Sequence, residues 1–378
     1  MGRKTRLEIT AKKDERLKDL TPIHRHIIET AASIQMDEAA EIEYQHGILC
    51  QVGLPRKKTE GRFFERNFKN ASLCVTAGKL WDGKKWVMQP LPYGPKPRLA
   101  LIHINGEAIR TQNPQIEIGR SCAEFLRRIG LPHQDGRTYS LFKKQMMALA
   151  ATELSLGFTT HNEAVTVNAR PIKEFRAWIS NSDHQTSLWP GELTLSRDYF
   201  DSLLAHAVPL DPRALGALSH SALALDVYTF FARRLHELER TIRVPFVSLK
   251  EQFGQEYASD KNFKSEFLSS MKKVLAVYPS AKVQRVTGGL LLSPSHPPIK
   301  TATKGRRIAT EEPKPISATP TAASLTERTT EQFREICPRL DIYACQTDFD
   351  AWLIGKEQPK NYQTAFLGFA KKWGMGKK

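Results

Sequence analysis

The chain has 378 residues, 40% of them hydrophobic, and carries 56 Lys and Arg against 40 Asp and Glu, a formal net charge of +16. That length suits two or three domains, and that apolar fraction can bury real cores, so a chain disordered throughout is excluded. A basic excess of this size points to a polyanion as partner, because each Lys or Arg set on a phosphate releases condensed counterions.

In chain order, residues 1–20 read as a solvated basic arm. Thr21-Pro22 has the form of an N-cap followed by proline at the first helical position, predicting a helix to about Cys50. PRKKTEGR (55–62) reads as a loop. Asp82-Gly83 predicts a hairpin joining Leu73–Ala77 to Lys84–Met88. LPYGPKP (91–97), with three prolines, reads as an extended connector.

From Pro97 onward one layout occurs twice. The first pass predicts a helix at Pro97–Ile109, a strand at Ile116–Ile118, a helix from Ser121 to Ile129, a turn (HQDGR, 133–137), a helix at Tyr139–Glu153, and strands Leu156–Thr160 and Ala164–Ala169 turned at His161-Asn162. GELTLSRDYFDSLLAHAVPLDPRAL (191–215) then reads as strand and helix. The second pass predicts a helix at Ser221–Glu239, a strand at Ile242–Val247, a short helix from Ser248, a helix at Phe263–Val277 opened by Ser259-Asp260, and strands Lys282–Val286 and Leu290–Leu292 turned at Gly288-Gly289. Ser121 with Glu124 and Ser248 with Glu251 each have the spacing of a capping box. Helix, strand, helix, turn, helix, hairpin is the chain order of a winged helix. The predicted fold class is therefore α+β, with two tandem winged-helix units (91–185 and 186–295) after an N-terminal extension (1–90). The Pro- and Thr-rich segment 296–325 reads as a flexible linker. Residues 326–378, with Phe333, Tyr343, Phe349, Trp352, Phe366, Phe369 and Trp373, read as a small helical module.

A helix-turn-helix offers its second helix to the major groove, where base edges carry a full donor and acceptor code. In the first unit the candidate DNA-binding residues are Arg137, Thr138, Tyr139, Ser140, Lys143, Lys144 and Gln145, with Phe142, Met146 and Leu149 as the buried face. In the second they are Lys261, Asn262, Lys264, Ser265, Lys272 and Lys273, with Lys282 and Arg285 on the wing. Gln pairs bidentately with adenine and Arg with guanine, while Ser and Lys hold phosphates.

Catalytic signatures are missing. There is no G-x-x-x-x-G-K-[ST] loop, so an ATP-driven initiator or helicase of that class is not indicated. His24-Arg25-His26 has the spacing of a nickase metal pair but a charged middle residue in a helical context. The five cysteines (Cys50, Cys74, Cys122, Cys337 and Cys345) form no C-x-x-C pair, which argues for reduced, mostly buried thiols and against a disulfide framework or zinc knuckle. No cofactor, no metal and no catalytic residue is expected. No apolar run reaches membrane-span length and the start is charged, so a cytoplasmic protein without a membrane partner is expected.

The run from 91 to 131 carries Pro92-Tyr93-Gly94, Pro97-Arg98-Leu99, Glu107-Ala108-Ile109-Arg110-Thr111, Ile116-Glu117-Ile118-Gly119 and Phe125-Leu126. This stretch is similar to the hallmark of plasmid-encoded replication initiators of the RepA type, and the similarity continues more weakly to about residue 295. It departs at HQDGR, where the family has a glycine-rich turn. The resemblance implies a bacterial tandem winged-helix protein that binds direct repeats (iterons) at a plasmid origin and melts A·T-rich DNA. It also implies recruitment of the host initiator DnaA and the replicative helicase, and dimers that repress their own promoter. The alternatives are a winged-helix transcriptional repressor with no replication role and a rolling-circle-type nickase.

Overall fold

The computed structural model describes residues 21–36, 41–119, 121–131, 136–159, 164–178, 189–299, 325, 327–337, 342–353, 359 and 361–375. The arm at 1–20, the turn at 161–162, residues 133–135 of HQDGR and most of the linker lie outside them. Two compact units divide the chain, Met1–Thr303 and Lys304–Lys378.

Helix α1 (Pro22–Met36) opens at Thr21, whose Oγ1 accepts from His24 N–H at 3.4 Å. It does not reach Cys50. The chain instead forms β1 (Glu43–His46) and a run of hydrogen-bonded turns, because 43–46 pairs antiparallel with Ala207–Leu210. Strands β2 (Phe63–Phe68), β3 (Ala71–Thr76), β4 (Lys79–Trp81) and β5 (Trp86–Met88) come next. The turn at Asp82-Gly83 falls where expected, but β4 meets β5 there; Leu73 and its neighbours pair with β2 instead.

The first repeat then runs α2 (Pro95–Thr111), β6 (Gln115–Glu117), α3 (Cys122–Arg128), α4 (Gly136–Ala151), β7 (Glu153–Thr159), β8 (Ala164–Ala169), β9 (Ile172–Trp178) and β10 (Trp189–Leu195). The chain continues through α5 (Arg197–His206), β11 (Ala207–Leu210) and α6 (Pro212–Leu218). The second repeat comprises α7 (Ala222–Glu237), β12 (Ile242–Pro245), α8 (Phe246–Phe253), α9 (Asp260–Val277), β13 (Val283–Val286) and β14 (Gly289–Leu292). Serine caps open several of these helices: Ser121, Ser221 and Ser259 accept from the N–H groups of Glu124, Ala224 and Asn262. Ser248 is not a cap. Helix α8 starts two residues earlier, behind Pro245 with its fixed φ, and Phe246 N–H donates to the Gly288 carbonyl.

Pairing separates the two repeats more clearly than chain order does. In the second, the sheet order is β12-β14-β13, so the strand before the helix pair meets the last strand of the hairpin. The first repeat has the same arrangement in β6-β10-β9. Its closing strand pair is therefore 172–178 with 189–195, not the expected pair 156–160 and 164–169. Strands β7 and β8 are inserted between helix and hairpin and extend β2-β3 to a four-stranded sheet, β2-β3-β7-β8.

One contiguous core runs through both repeats. Helix α7 is buried on nearly every side, from Ala222 to Ala232, and α2 is buried from Pro97 to Gly106. Between them Arg98 and Asp226 form a bidentate pair, Nε to Oδ1 at 2.7 Å and Nη2 to Oδ2 at 3.0 Å. The remaining Arg98 donors reach the carbonyls of Leu54, Pro55 and Gly94 at 2.5, 3.0 and 2.8 Å. The hallmark Pro97-Arg98-Leu99 thus ties the two repeats together in the interior.

The second compact unit holds α10 (Glu327–Ile336), α11 (Ile342–Leu353) and α12 (Tyr362–Met375) around Phe333, Cys345, Phe349 and Phe366. Of the expected aromatics, Phe333, Phe349 and Phe366 are buried, Phe369 packs against them and Trp352 is exposed, while the side chains of Tyr343 and Trp373 lie outside those described. None of the described helices is long and apolar enough to cross a membrane.

Candidate nucleic-acid interface

Helix α9 builds its exposed face from period alone. Phe263, Phe267, Met271 and Val274 turn inward at helical spacing, which leaves Lys261, Lys264, Ser265 and Lys272 on one outward stripe. These four are exposed, and the stripe spans about 16 Å at 1.5 Å per residue. Asn262 is exposed beside them. Lys273 is half-buried on the adjoining flank, with Nζ 3.1 Å from His220 Nε2. Lys264 Nζ sits 4.8 Å from the Phe246 ring centroid, and Lys250 pairs with Asp260, which fixes α8 against the start of α9. A groove of about 490 Å³ between these two helices is lined by Phe246, Val247, Lys250 and Tyr257.

On the hairpin β13–β14, Lys282 and Arg285 are exposed. Its turn needs Gly288 at φ +76°, and Arg243 Nη2 donates to the Thr287 carbonyl at 2.6 Å.

On α4 of the first repeat, Arg137, Ser140 and Lys144 are exposed, while Thr138, Tyr139 and Lys143 are half-buried. Tyr139 packs against the core, and burial raises its phenol pKa. Gln145 is a correction. It is buried among Phe142, Met146 and Leu149, and its Oε1 accepts from Tyr93 N–H at 2.7 Å. Its place one turn from Phe142 and one from Leu149 is the signal for this, since a polar residue at core spacing is buried with a partner. It fixes the hallmark Pro92-Tyr93-Gly94 loop instead of facing solvent.

The loop at 55–58 holds no expected contact, yet it adjoins the site. Glu256, in the turn between α8 and α9, accepts from Arg56 Nε at 3.1 Å and from buried Arg66 Nη2 at 2.6 Å. Burial pushes the Glu256 carboxyl up, but the two guanidinium groups outweigh it and hold it below the usual range. Burial, aided by the Arg56 charge, lowers Arg66 to about 10. This clamp sets Lys57 beside the turn, with Nζ 5.8 Å from the Tyr257 ring, next to exposed Lys58. The basic run is visible in PRKKTEGR, but its partner lies near residue 256.

Among the described residues no three metal-ligating side chains gather. His24 and His26 are exposed on α1, and His24 Nδ1 lies 2.9 Å from Thr21 Oγ1. Cys50, Cys122, Cys337 and Cys345 are buried and Cys74 is half-buried, all as free thiols. Burial pushes Cys50 and Cys122 up to about 12, which keeps them protonated and unreactive.

Residues 91–248 match the family described as plasmid encoded RepA protein, so the resemblance read from 91–131 holds over this longer span. No curated protein matches the chain. Two crystal structures are similar to it in part. One is of RctB domains 2-3 (TM-score 0.42, 11% identity, 65% of this chain and 94% of that one). The other is of SeMet derivatives of domain2 and domain 3 of RctB (TM-score 0.43, 11% identity, 65% and 95%).

Proposed function

We propose, from the RepA match as premise, that this protein initiates plasmid replication by binding repeated duplex sequences at the origin. The observation that carries the reading is the exposed stripe Lys261, Lys264, Ser265 and Lys272 on the second helix of a strand–helix–helix–hairpin unit. Read as winged helices, the two repeats offer α4 and α9 to successive major grooves, about 34–36 Å apart on one face of the duplex. Lysines on these helices neutralise phosphates and set register; Arg137 and Asn262 are the side chains suited to base edges. Lys282 and Arg285 on the hairpin, with Lys57 and Lys58 beside the second turn, extend the phosphate contacts. Bending would be cheapest where pyrimidine–purine steps flank the site. Recruitment of DnaA and the helicase, and a repressing homodimer, are what the family resemblance adds to this reading.

The test is binding of the purified protein to the origin repeats of its own plasmid and to scrambled duplex, across a salt series. Expected are a preference of about a thousandfold or more and a steep fall of affinity with salt. Replacing Lys261, Lys264 and Lys272 by Ala should lower the salt slope by about one for each lysine that neutralises a phosphate. Equal, weak binding to both duplexes would defeat the site-specific reading. A plasmid carrying only this gene and its repeats separates initiator from repressor by replicating or failing to.

A further inference from the structure

The hairpin β4–β5 lies outside the proposed duplex contacts and carries an unusual surface. Strand alternation turns Leu80 and Val87 inward, where Leu80 packs on the core. The opposite face shows Trp81 and Trp86, 52% and 64% exposed. They are direct cross-strand partners, with ring centroids 5.6 Å apart and planes at 60°, so the edge of one indole meets the face of the other. Each keeps much of its aromatic surface in water. Lys79, Lys84 and Lys85 are exposed around them.

The acid in this hairpin, Asp82, is engaged by the backbone of its own turn. Asp82 Oδ1 accepts from the N–H groups of Lys84 and Lys85 at 2.8 Å each, and these bonds hold its pKa below the usual range. Gly83 supplies the positive φ of +97° that the tight turn requires. The turn thus orients Asp82 Oδ1 onto backbone and leaves two adjacent lysines exposed. The base of the hairpin is anchored, since β4 packs against α4 and Gln89 N–H donates to the Gly78 carbonyl at 2.9 Å. A rigid aromatic pair ringed by lysines therefore stands beside the first candidate recognition helix.

We propose that this hairpin binds single-stranded DNA, with unpaired bases stacking on Trp81 and Trp86 and phosphates held by Lys79, Lys84 and Lys85. Indole faces need base faces, and in a duplex those are hidden within the stack; in a single strand they are open, and every base has one. The lysines and the net charge of +16 choose a polyanion over an apolar protein surface. The site goes beyond duplex-repeat recognition and does not depend on it.

The experiment is fluorescence anisotropy with a labelled 20-nucleotide oligothymidylate and, on the same preparations, with the origin-repeat duplex. Replacing both Trp81 and Trp86 by Ala should weaken oligothymidylate binding by about tenfold or more and leave duplex affinity within about twofold. Trp81→Tyr with Trp86→Tyr should keep most of the binding, which separates stacking from hairpin stability. Lys84→Glu with Lys85→Glu, confined to the exposed turn, should weaken it and lower its salt dependence. An iododeoxyuridine oligonucleotide should photo-cross-link to residues 79–88. No oligothymidylate binding by the full chain overturns the proposal, as does binding indifferent to the Trp pair. An Ala variant that loses self-association but keeps oligothymidylate affinity would assign the face to a second copy instead. Failure on the duplex alone would count against repeat recognition and leave this site standing.

Discussion

At the scale of single residues, two buried polar groups have consequences that can be measured. Asp226 is the only carboxylate hydrogen-bonded to Arg98 among the described residues, and both side chains are almost wholly buried. Removing one partner of such a pair leaves an uncompensated charge in a low dielectric, which costs about 3–5 kcal/mol. Asp226→Ala should lower the urea midpoint accordingly, whereas Arg98→Met with Asp226→Leu should recover much of that stability. A double variant no more stable than the single one would show that the pair's worth lies elsewhere. His46 provides a pH effect. Its Nδ1 accepts from Ile48 N–H at 3.2 Å, so the neutral ring donates from Nε2 to Ser202 Oγ at 3.0 Å. Burial first, then the nearby His206 and Arg233, lower its pKa to about 3. The unfolded ring titrates near 6.5. Below that pH the unfolded chain binds the extra proton, so stability present above 6.5 is lost as pH falls toward 3, by about 1.4 kcal/mol per pH unit. In urea unfolding from pH 7.5 to 4.5, the wild type should lose stability faster than His46→Gln below pH 6. Parallel curves would mean the ring is not buried neutral.

At the scale of elements, α4 separates a structural side chain from candidate contacts one residue away. Gln145→Ala strands the Tyr93 N–H and should cost about 1–3 kcal/mol with no change in preference among duplex sequences. Lys144→Ala should leave stability unchanged, weaken duplex binding and lower the salt slope by about one. If Gln145→Ala relaxes sequence preference instead, the helix presents a different face from the one seen here. The same contrast shows what a sequence can reveal. Helix α9 is legible down to its cap at Ser259 and its stripe of lysines, because every signal is local: period, cap, and a glycine turn after it. In the first repeat the hairpin is not, because β7 and β8 alternate strongly and come directly after α4. β7 pairs on its other edge with β3, some eighty residues earlier, and only β6 pairing with β10 shows which hairpin closes the unit. The end of α1 is hidden for the same reason, since 43–46 is a strand only in the presence of 207–210. Residues such as Arg98 carry the resemblance read from the sequence, but their interior role depends on partners that no spacing rule names.

At the scale of the whole molecule, the end of the first compact unit is set by what docks on α7 and α9. Composition places the start of the linker at 296, yet the chain beyond β14 is still held. Ser295 N–H donates to the Leu235 carbonyl at 3.0 Å, Tyr278 Oη donates to the His296 carbonyl at 2.8 Å, and Ile299 is buried. Ending the chain at Ser295 removes Ile299, whose burial is worth about 1.5–3 kcal/mol, and leaves the buried Tyr278 hydroxyl without its acceptor. Ending it at Thr303 removes neither. The 1–303 fragment should therefore unfold with the same midpoint as these residues do within the full chain and bind origin repeats with unchanged affinity. The 1–295 fragment should be less stable and bind more weakly near its midpoint only. Because the tail helices enclose their own core of Phe333, Phe349 and Phe366, their removal should be felt in plasmid maintenance and not in repeat binding. Loss of repeat binding by the 1–303 fragment would place part of the DNA contact in the tail unit, and the assignment of repeat recognition to the first unit alone would have to be abandoned.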